Sequence, residues 1–443
     1  MENINELISP LDFLLFFVYS ILIYYVLRIF IFGNLDKKQK RLFTVTFILK
    51  SFCALFMTAL SVYYWGLSDN TAYYLESKNI LKLIRTDFSN IQYLFQSVEP
   101  YNEKIRLDNE LSSTVSSLGI ESNFLIIKLT TLLYPFALGR YLIINLFFSV
   151  IATVGQFKFF LVLSKRYPHI KKNVAVAIFF MPSVLLYSSF MNKETICVAC
   201  MGFAFYNFFQ LMNKKSRVIH TLLLLINLYF VFTLKIYVLV CFFVAILLVY
   251  LIKTIRGFVQ GSVLSKIFVT GVLVGVALLL FTNLSYFDSF IVDAAKTSNS
   301  FQEQYNYIDE ATTIEFGEVE TSFSGLVKKI PLGIYTTYFR PQLWEVNKPI
   351  ILFSALEAFV VFLIALLAII SRRKYIGPLL RQDMFACICF YYVLIFGSVV
   401  GLTTFNFGSL IRYKIPGVPF LMMFIFLLLH FKPVKKEGNL LIG

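Results

Sequence analysis

The sequence predicts an all-α fold: a polytopic transmembrane helix bundle of about 11 spans, forming a single integral-membrane domain over residues 1–443. Three observations support this prediction. Hydrophobic residues make up 58% of the chain and charged residues only 15%. Apolar runs of about 17–22 residues recur, and a helix of that length crosses the hydrocarbon core of a bilayer. The runs are continuously apolar rather than alternating, which excludes a transmembrane β-barrel.

Each of these runs is expected to be a helix because lipid offers no hydrogen-bond partner to an unpaired backbone. In chain order the predicted spans cover residues 12–33, 45–65, 141–163, 174–190, 195–212, 219–234, 236–252, 266–282, 350–370, 384–402 and 415–431. The run at 124–138 is apolar but short and contains Lys128. We therefore interpret it as interfacial or re-entrant rather than as a span.

Basic residues predict the orientation of the spans. Six loops on one side of the predicted bundle hold twenty of the 40 Lys and Arg residues and only three of the 25 acidic residues. Loops enriched in this way stay in the cytoplasm. We expect a multi-pass protein of the bacterial inner membrane, with a periplasmic N-terminus and a cytoplasmic C-terminus. Topology then explains the net charge of +15, and no nucleic-acid partner is expected.

Two longer segments fall on the predicted periplasmic side. The first loop covers residues 66–140 and contains a mixed-charge, amphipathic stretch from Asp69 to Arg106. The second covers residues 283–349, beginning with acidic sequence and continuing through SGLVKKIPLGIYTTYF. We expect both to contain amphipathic helices that lie on the membrane surface as lids or belts.

Polar residues at the periplasmic ends of the spans form the candidate site. Cations held there oppose the positive-inside bias, which makes them functional candidates. Because arginine binds phosphate oxygens through two parallel hydrogen bonds, such a set suits a shared anionic ligand. For any single cation the alternative is snorkelling to the interface or pairing with Glu194 or Glu345. The candidate substrate-binding residues are Lys193, Lys235, Arg340, Glu345, Arg412 and Lys414.

Asp69 is the candidate catalytic residue. It follows the second span in the sequence SDNTAYYLES. A carboxylate at this position can take a proton from a sugar hydroxyl, or hold a divalent cation such as Mg²⁺ or Mn²⁺ against a phosphate. The alternative is that Asp69 is the N-cap of a helix.

Other residue types exclude several chemistries. The six cysteines all lie in apolar runs, including the pair Cys197 and Cys200, so we expect small buried side chains and no metal site. The three histidines fall at cytoplasmic span ends, which disfavours a periplasmic zinc site. No Gly-rich phosphate loop or P-loop lysine occurs, so cytoplasmic nucleotide chemistry is not expected.

Several motifs resemble membrane enzymes of glycan assembly. The carboxylate in SDNTAYYLES is similar to that of GT-C-type glycosyltransferases, and LIRYKIPGVPFLMMF resembles a late segment of those enzymes and of O-antigen polymerase-like proteins. MPSVLLYSSFMNKE, FTLKIYV and FRPQLWE resemble bacterial membrane proteins of surface-polysaccharide assembly. The resemblance implies a polyprenyl-phosphate sugar donor, a glycan or lipid-linked acceptor, and Asp69 as general base. The chain departs from the GT-C pattern in its extra N-terminal span, and in having Asn70 after Asp69 where a second acid is usual.

These observations predict a membrane glycosyltransferase of polysaccharide biosynthesis that uses polyprenyl-phosphate-linked sugars at the periplasmic face. Three alternatives stay open: an O-antigen-type polysaccharide polymerase, a flippase or transporter of lipid-linked oligosaccharide, and a non-catalytic scaffold. Buried charges in the middle of spans favour the flippase. The residues to examine for this are Arg28, Lys50, Lys158 and Glu357, most of which we expect to snorkel.

Overall fold

The structure, a computed structural model, describes residues 7–32, 35–66, 68–107, 120–213, 216–260, 314, 323–346, 348–404 and 406–433. Across these ranges the regular elements are helices, which confirms the predicted all-α class. The chain forms two compact units. Unit 1 comprises Met1–Lys171 and Ile178–Leu239, and unit 2 comprises Lys172–Ala177 and Val240–Gly443.

The described part of the chain contains fifteen α-helices. In chain order they are α1 (Pro10–Phe32), α2 (Lys37–Leu60), α3 (Asp69–Thr86), α4 (Glu99–Leu107), α5 (Glu121–Leu133), α6 (Tyr141–Arg166), α7 (Lys171–Ala175), α8 (Pro182–Tyr187), α9 (Lys193–Met212), α10 (Arg217–Gln260), α11 (Phe323–Phe339), α12 (Pro349–Gln382), α13 (Met384–Thr403), α14 (Phe407–Tyr413) and α15 (Val418–His430). π-Helical turns extend α2 over Ser61–Trp65 and follow α7 over Val176–Phe180.

Within the described residues, seven helices are long and apolar enough to cross a membrane, and an eighth span results if α14 and α15, bent by 61°, count as one. The seven are Pro10–Ile31, Lys37–Trp65, Tyr141–Arg166, Lys193–Met212, Arg217–Thr254, Pro349–Gln382 and Met384–Thr403. The predicted span at 266–282 and most of the second loop at 283–349 lie outside the described residues. The chain is therefore a multi-pass helical membrane protein by length and composition, while the number of 11 spans remains a prediction.

Three predicted spans differ in form from the observed helices. The segment 174–190 is not one helix, because the backbone at Met181 is extended (φ −71°, ψ 122°) before Pro182 opens α8. Proline disfavours helical backbone in the residue before it and lacks the N–H that would continue the helix. The predicted spans 219–234 and 236–252 both lie in α10, as two helical parts that meet at a kink at Lys235 (φ −151°, ψ 77°).

In unit 1, α6 and α9 run in the same direction. The Oδ1 atom of Asn145, near the start of α6, accepts a hydrogen bond of 2.8 Å from the N–H of Met191, just before α9. Further along, the Phe159 and Phe205 ring centroids are 4.7 Å apart, and Lys165 near the end of α6 lies over Phe209. Since two successive parallel helices require a return crossing, the broken segment between Arg166 and Asn192 carries the chain back across unit 1.

The helices α3, α4 and α5 form a layer, here called the cap layer, at the end of unit 1 where α6 begins. Buried aromatic rings join its members: the Tyr101 ring of α4 stacks on Phe124 of α5, and the Tyr73 hydroxyl of α3 donates to Asn123 Oδ1. The cap layer therefore has a core of its own, and its expected place on the membrane surface as a lid or belt stays a prediction. Contacts at both ends of α5 stay at this end of unit 1, which agrees with the interpretation of 124–138 as a segment that does not cross.

Unit 2 is built around the antiparallel pair α11 and α13. The Thr337 hydroxyl donates to the carbonyl oxygen of Gly397 at 2.7 Å, and a Cβ atom placed on Gly401 would collide with the backbone of Gly333. Small residues allow two membrane helices to approach this closely. Unit 1 uses the same device, because a Cβ atom on Gly202 of α9 would collide with the backbone of Gly155 in α6.

Candidate functional site

Asp69 is exposed and is the first residue of α3. The residue in the N-cap position is Ser68, whose backbone N–H donates to the Thr71 hydroxyl at 2.9 Å. The alternative that Asp69 is itself the N-cap is therefore wrong by one residue. A carboxylate in the first turn is nevertheless favoured by the positive end of the helix dipole, and the exposed position keeps Asp69 accessible.

Lys235 is buried in a close ion pair. Its Nζ lies 2.6 Å from Glu194 Oε1, with both side chains 4% exposed, and 3.1 Å from the Tyr237 hydroxyl. Lys235 lies at the kink in α10, and its side chain contacts Glu194 in the first turn of α9. The structure thus shows the pairing that was the alternative to ligand binding for Lys235. Lys193, the other candidate cation here, donates to the Ser122 hydroxyl at 2.9 Å and joins α9 to the cap layer.

Arg340 is likewise held by an acidic partner, in unit 2. Its Nε lies 2.9 Å from Glu345 Oε1 and 3.2 Å from Oε2, and its Nη2 also donates to Oε1. The guanidinium sits 5.3 Å from the centre of the Phe407 ring, at the start of α14. The structure therefore brings the Arg340 guanidinium to Phe407 at the start of α14, with the arginine fork already bound to a carboxylate. A shared site of Arg340 and Arg412 stays a prediction.

Lys414 lies at the bend between α14 and α15 and is 1% exposed. Within the described residues its Nζ has no hydrogen-bond partner. The carboxylate of Glu357 in α12, which is also buried, acts on it electrostatically. We expected Lys414 in an open outer loop, and its burial is explained by the apolar helix α15, which starts four residues later. Arg412, two residues earlier, is half-buried.

The predicted site residues thus fall into two groups. Asp69, Lys193 and Lys235 belong to unit 1, whereas Arg340, Glu345, Arg412 and Lys414 belong to unit 2. A pocket shared by Asp69, Arg340 and Arg412 remains a prediction. No cluster of three or more His, Cys, Asp or Glu side chains that could hold a metal ion occurs in the part of the chain that the structure describes, and a divalent cation near Asp69 also remains a prediction.

A cavity of about 490 Å³ in unit 1 contains residues that sequence reasoning missed. One wall is a face of α3, and the other is the loop between α5 and α6. None of the lining residues is acidic. They are Tyr74, Lys78, Arg85, Tyr134, Pro135, Leu138, Gly139 and Arg140. The spacing of the first three was a usable signal, because positions four and seven residues apart on a helix share one face.

The loop wall of this cavity depends on a glycine. Gly139 has φ +67°, a region that side chains with a Cβ atom rarely adopt. A Cβ atom there would lie 2.8 Å from Cε1 of the Tyr134 ring. The Tyr74 hydroxyl donates to the Gly139 carbonyl oxygen at 2.7 Å, and the Tyr74 and Tyr134 rings stack with centroids 5.9 Å apart. Helix α3 and the loop are therefore fixed to each other through these three residues.

Lys50 is a buried lysine near the middle of α2. It is 1% exposed, and its Nζ donates to Gln156 Oε1 and to the Ser188 hydroxyl, both at 2.7 Å. Lys50 does not snorkel, because these two partners, from α6 and from the turn after α8, hold the side chain inside unit 1. Arg28 is exposed, and Lys158 lies over the Tyr206 ring.

The side chains described above are the basis on which function can be inferred. No model of a known protein family matches the chain, and comparisons with curated proteins and with solved structures find no match either.

Proposed function

We propose that the chain is a membrane glycosyltransferase that binds the phosphate of a polyprenyl-phosphate-linked sugar in the cavity of unit 1. The observation that carries this proposal is the grouping of Lys78, Arg85 and Arg140 around one open space, and none of the described residues that line it is acidic. The predicted orientation places this end of unit 1 in the periplasm. An O-antigen-type polymerase, which acts on the same class of lipid-linked substrate, is included in the proposal.

The cavity combines the two properties that such a ligand needs. Its guanidinium and ammonium groups donate charge-assisted hydrogen bonds to phosphate oxygens, and arginine can do so with two parallel bonds. Its rim is apolar, because Phe136 is 70% and Leu138 is 63% exposed, and α1 beside them presents mainly exposed apolar side chains. A ligand with an anionic head and a polyprenyl tail fits a site that is cationic inside and apolar at its edge.

In the proposed reaction the bond between the sugar C1 and the phosphate oxygen breaks, and a bond between C1 and the acceptor oxygen forms. The lipid phosphate leaves with the electron pair, and the cavity cations stabilise its charge. The acceptor hydroxyl gives its proton to Asp69. Asp69 is the first residue of α3, and the cavity residue Tyr74 follows five residues later. The two positions are therefore about 7.5 Å apart along the helix axis.

A binding experiment tests the cavity. Vesicles of phosphatidylcholine with and without polyprenyl phosphate are titrated against the purified chain, with Arg85→Ala and Lys78→Ala as variants. The matched control is Arg106→Ala, which removes an exposed cation of the cap layer that does not line the cavity. We expect each cavity variant to bind about tenfold more weakly, the usual effect of losing a charge-assisted hydrogen bond. Equal affinity of the cavity and control variants would overturn the proposal.

The role of Asp69 is tested by the Asp69→Asn variant. Amide and carboxylate have nearly the same shape, but the amide cannot accept the proton. We expect loss of glycan product with unchanged binding of polyprenyl phosphate. A variant that forms product at the normal rate removes the base assignment, whereas the phosphate site is judged from the binding experiment alone.

A flippase of lipid-linked oligosaccharide is the second candidate, and Lys50 favours it. A buried mid-span lysine held by neutral partners is unusual in a helix bundle and marks ion or substrate paths in many transporters. Analysis of lipid-linked intermediates in a deletion strain separates the two functions. Accumulation of the donor on the periplasmic side supports the transferase, and accumulation on the cytoplasmic side supports the flippase.

A further inference from the structure

Asp12, close to the start of α1, is a buried carboxylate in a helix whose other side chains are mainly exposed and apolar. Its Oδ2 atom accepts hydrogen bonds from the backbone N–H of Ser9 at 2.6 Å and from the Ser9 hydroxyl at 2.8 Å. These two bonds fix the orientation of the carboxylate. A buried charge at the edge of a membrane helix is costly and needs a reason.

The other oxygen of this carboxylate faces the cavity residue Arg140. Asp12 Oδ1 lies 3.4 Å from Arg140 Nη1, and in the described residues it has no hydrogen-bond partner. Arg140 is the N-cap residue of α6 and its side chain is 38% exposed. The carboxylate therefore holds one edge of the guanidinium electrostatically and leaves its other N–H groups available to the cavity.

Helix α1 contacts the same loop at a second point. The Tyr19 hydroxyl donates to the carbonyl oxygen of Phe136 at 2.9 Å. The loop that carries Tyr134, Gly139 and Arg140 is thus supported by α1 on one side and by Tyr74 of α3 on the other. Both supports are hydrogen bonds to its backbone, and Asp12 adds control of one side chain.

We infer that Asp12 is a positioning residue that holds the Arg140 guanidinium at the cavity wall, so that α1 forms the bilayer-facing side of a binding site for a lipid phosphate. This inference rests on the proposed function and assigns α1 and Asp12 to that site. A long flexible side chain bound in advance loses less freedom when the ligand arrives. Without Asp12 the partly exposed arginine is free to extend into water or towards other lipid headgroups.

A double-mutant cycle tests the inference in the full-length chain. The variants are Asp12→Asn, Arg140→Ala and the double variant, and the measurement is affinity for vesicles with polyprenyl phosphate. We expect Arg140→Ala to weaken binding about tenfold and Asp12→Asn about threefold, with the double variant equal to Arg140→Ala alone. A purely structural role of Asp12 predicts the opposite, namely a further threefold loss in the Arg140→Ala background, and that result would overturn the inference.

Two further variants keep the test decisive if Asp12→Asn fails to fold. Asp12→Glu keeps the carboxylate and should restore most of the affinity, while Ser9→Ala removes one of the two hydrogen bonds that orient the carboxylate and should weaken binding about twofold. The positioning role is contradicted if Asp12→Glu binds the vesicles as weakly as a variant without the charge. It is also contradicted if Ser9→Ala binds them as tightly as wild type. If Lys78→Ala and Arg140→Ala bind as wild type, the proposed function fails. If both weaken binding and Asp12→Asn does not, only the role of Asp12 fails.

The source of the phosphate is tested with a second probe. Inorganic phosphate is titrated as a competitor of the vesicles, in wild type and in Asp12→Asn. We expect weak competition, because the exposed apolar rim contributes to binding of the lipid but not of the free ion. Inorganic phosphate that binds as tightly as the lipid would overturn the assignment of α1 as the bilayer-facing side.

Discussion

Units 1 and 2 place their basic residues in different ways. In unit 1, Lys78, Arg85 and Arg140 line an open cavity, and Asp12 lies 3.4 Å from Arg140 at its wall. In unit 2, one edge of the Arg340 guanidinium is bound by the Glu345 carboxylate, and Lys414 is buried at a helix bend. Sequence position near a span end therefore does not make a cation a ligand-binding group. What matters is whether its charge faces a space that a ligand can enter.

The two units are alike in how their main helix pairs approach. Gly155 and Gly202 meet in unit 1, and Gly333 and Gly401 meet in unit 2. Both contacts join backbone to backbone, so an added side chain cannot be accommodated by moving another side chain aside. Substitutions at the two contacts test whether both are equally essential for stability and whether each affects only its own unit.

The largest effect is expected from Gly202→Leu and Gly401→Leu. Each variant should separate its helix pair and cost more than about 4 kcal/mol of stability, the range of severe overpacking and lost packing. Limited proteolysis after detergent extraction should show cleavage in the altered unit first. The control is Gly377→Ala in α12, where an added Cβ atom meets nothing within 4 Å. Simultaneous cleavage of both units in either variant would show that they do not unfold separately.

The ion pairs give the next largest effect. Glu194→Gln leaves the 4% exposed Lys235 without its carboxylate and should cost about 3–5 kcal/mol, the cost of breaking a buried pair. Glu345→Gln in unit 2 should cost less, about 1 kcal/mol, because Arg340 and Glu345 are 15% and 18% exposed. Thermal unfolding in one detergent measures both. Equal losses would mean that burial does not distinguish the two pairs.

The two buried lysines, Lys50 in unit 1 and Lys414 in unit 2, are expected to differ in their effect on stability. Lys50→Met removes an ammonium that binds Gln156 and Ser188 and should destabilise unit 1 by about 1–3 kcal/mol, since two buried polar groups lose their partner. Lys414→Met removes a buried ammonium that has no hydrogen-bond partner in the described residues, and should leave stability unchanged or raise it. The same thermal assay reads both variants. A loss for Lys414→Met as large as that for Lys50→Met would contradict this account.

The smallest expected effect is a pH dependence within the cap layer. Burial raises the pKa of the Glu76 carboxyl above its ordinary value of 4.5, against the hydrogen bonds from Tyr101 and Asn79, which lower it. The folded state then holds this proton more tightly than the unfolded state. Its contribution is present at acidic pH and is lost as the pH rises from about 4.5 through the raised pKa.

The variant Glu76→Gln checks this sign. Glutamine keeps an acceptor for the Tyr101 hydroxyl but cannot ionise. We expect wild-type stability to fall between mildly acidic and neutral pH relative to Glu76→Gln, as measured by hydrogen exchange of α3 and α4. Parallel pH profiles of the two proteins would remove Glu76 as the source.

The sequence predicted the helical class and the positions of most apolar spans, because a helix that crosses a bilayer needs an apolar run long enough to span it. Lys235 and Arg340 were predicted to bind a shared anionic ligand, and the pairing with Glu194 and Glu345 that the structure shows was the alternative. The cavity was missed because it joins one face of α3 to a loop more than fifty residues later, and no local pattern encodes that contact. The burial of Lys50 was missed for the same reason, since its partners Gln156 and Ser188 are distant in the chain.

The burial of Lys50 also affects how α2 is inserted into the membrane during synthesis. A lysine at the centre of a membrane helix opposes insertion by about 2.5–3.5 kcal/mol. Both of its partners lie more than one hundred residues downstream and are synthesised later. Helix α2 therefore leaves the ribosome before anything can bind its ammonium, and we expect it to stay beside the insertion machinery until α6 and the turn after α8 arrive. Early truncation of the nascent chain should consequently release α2 from the membrane.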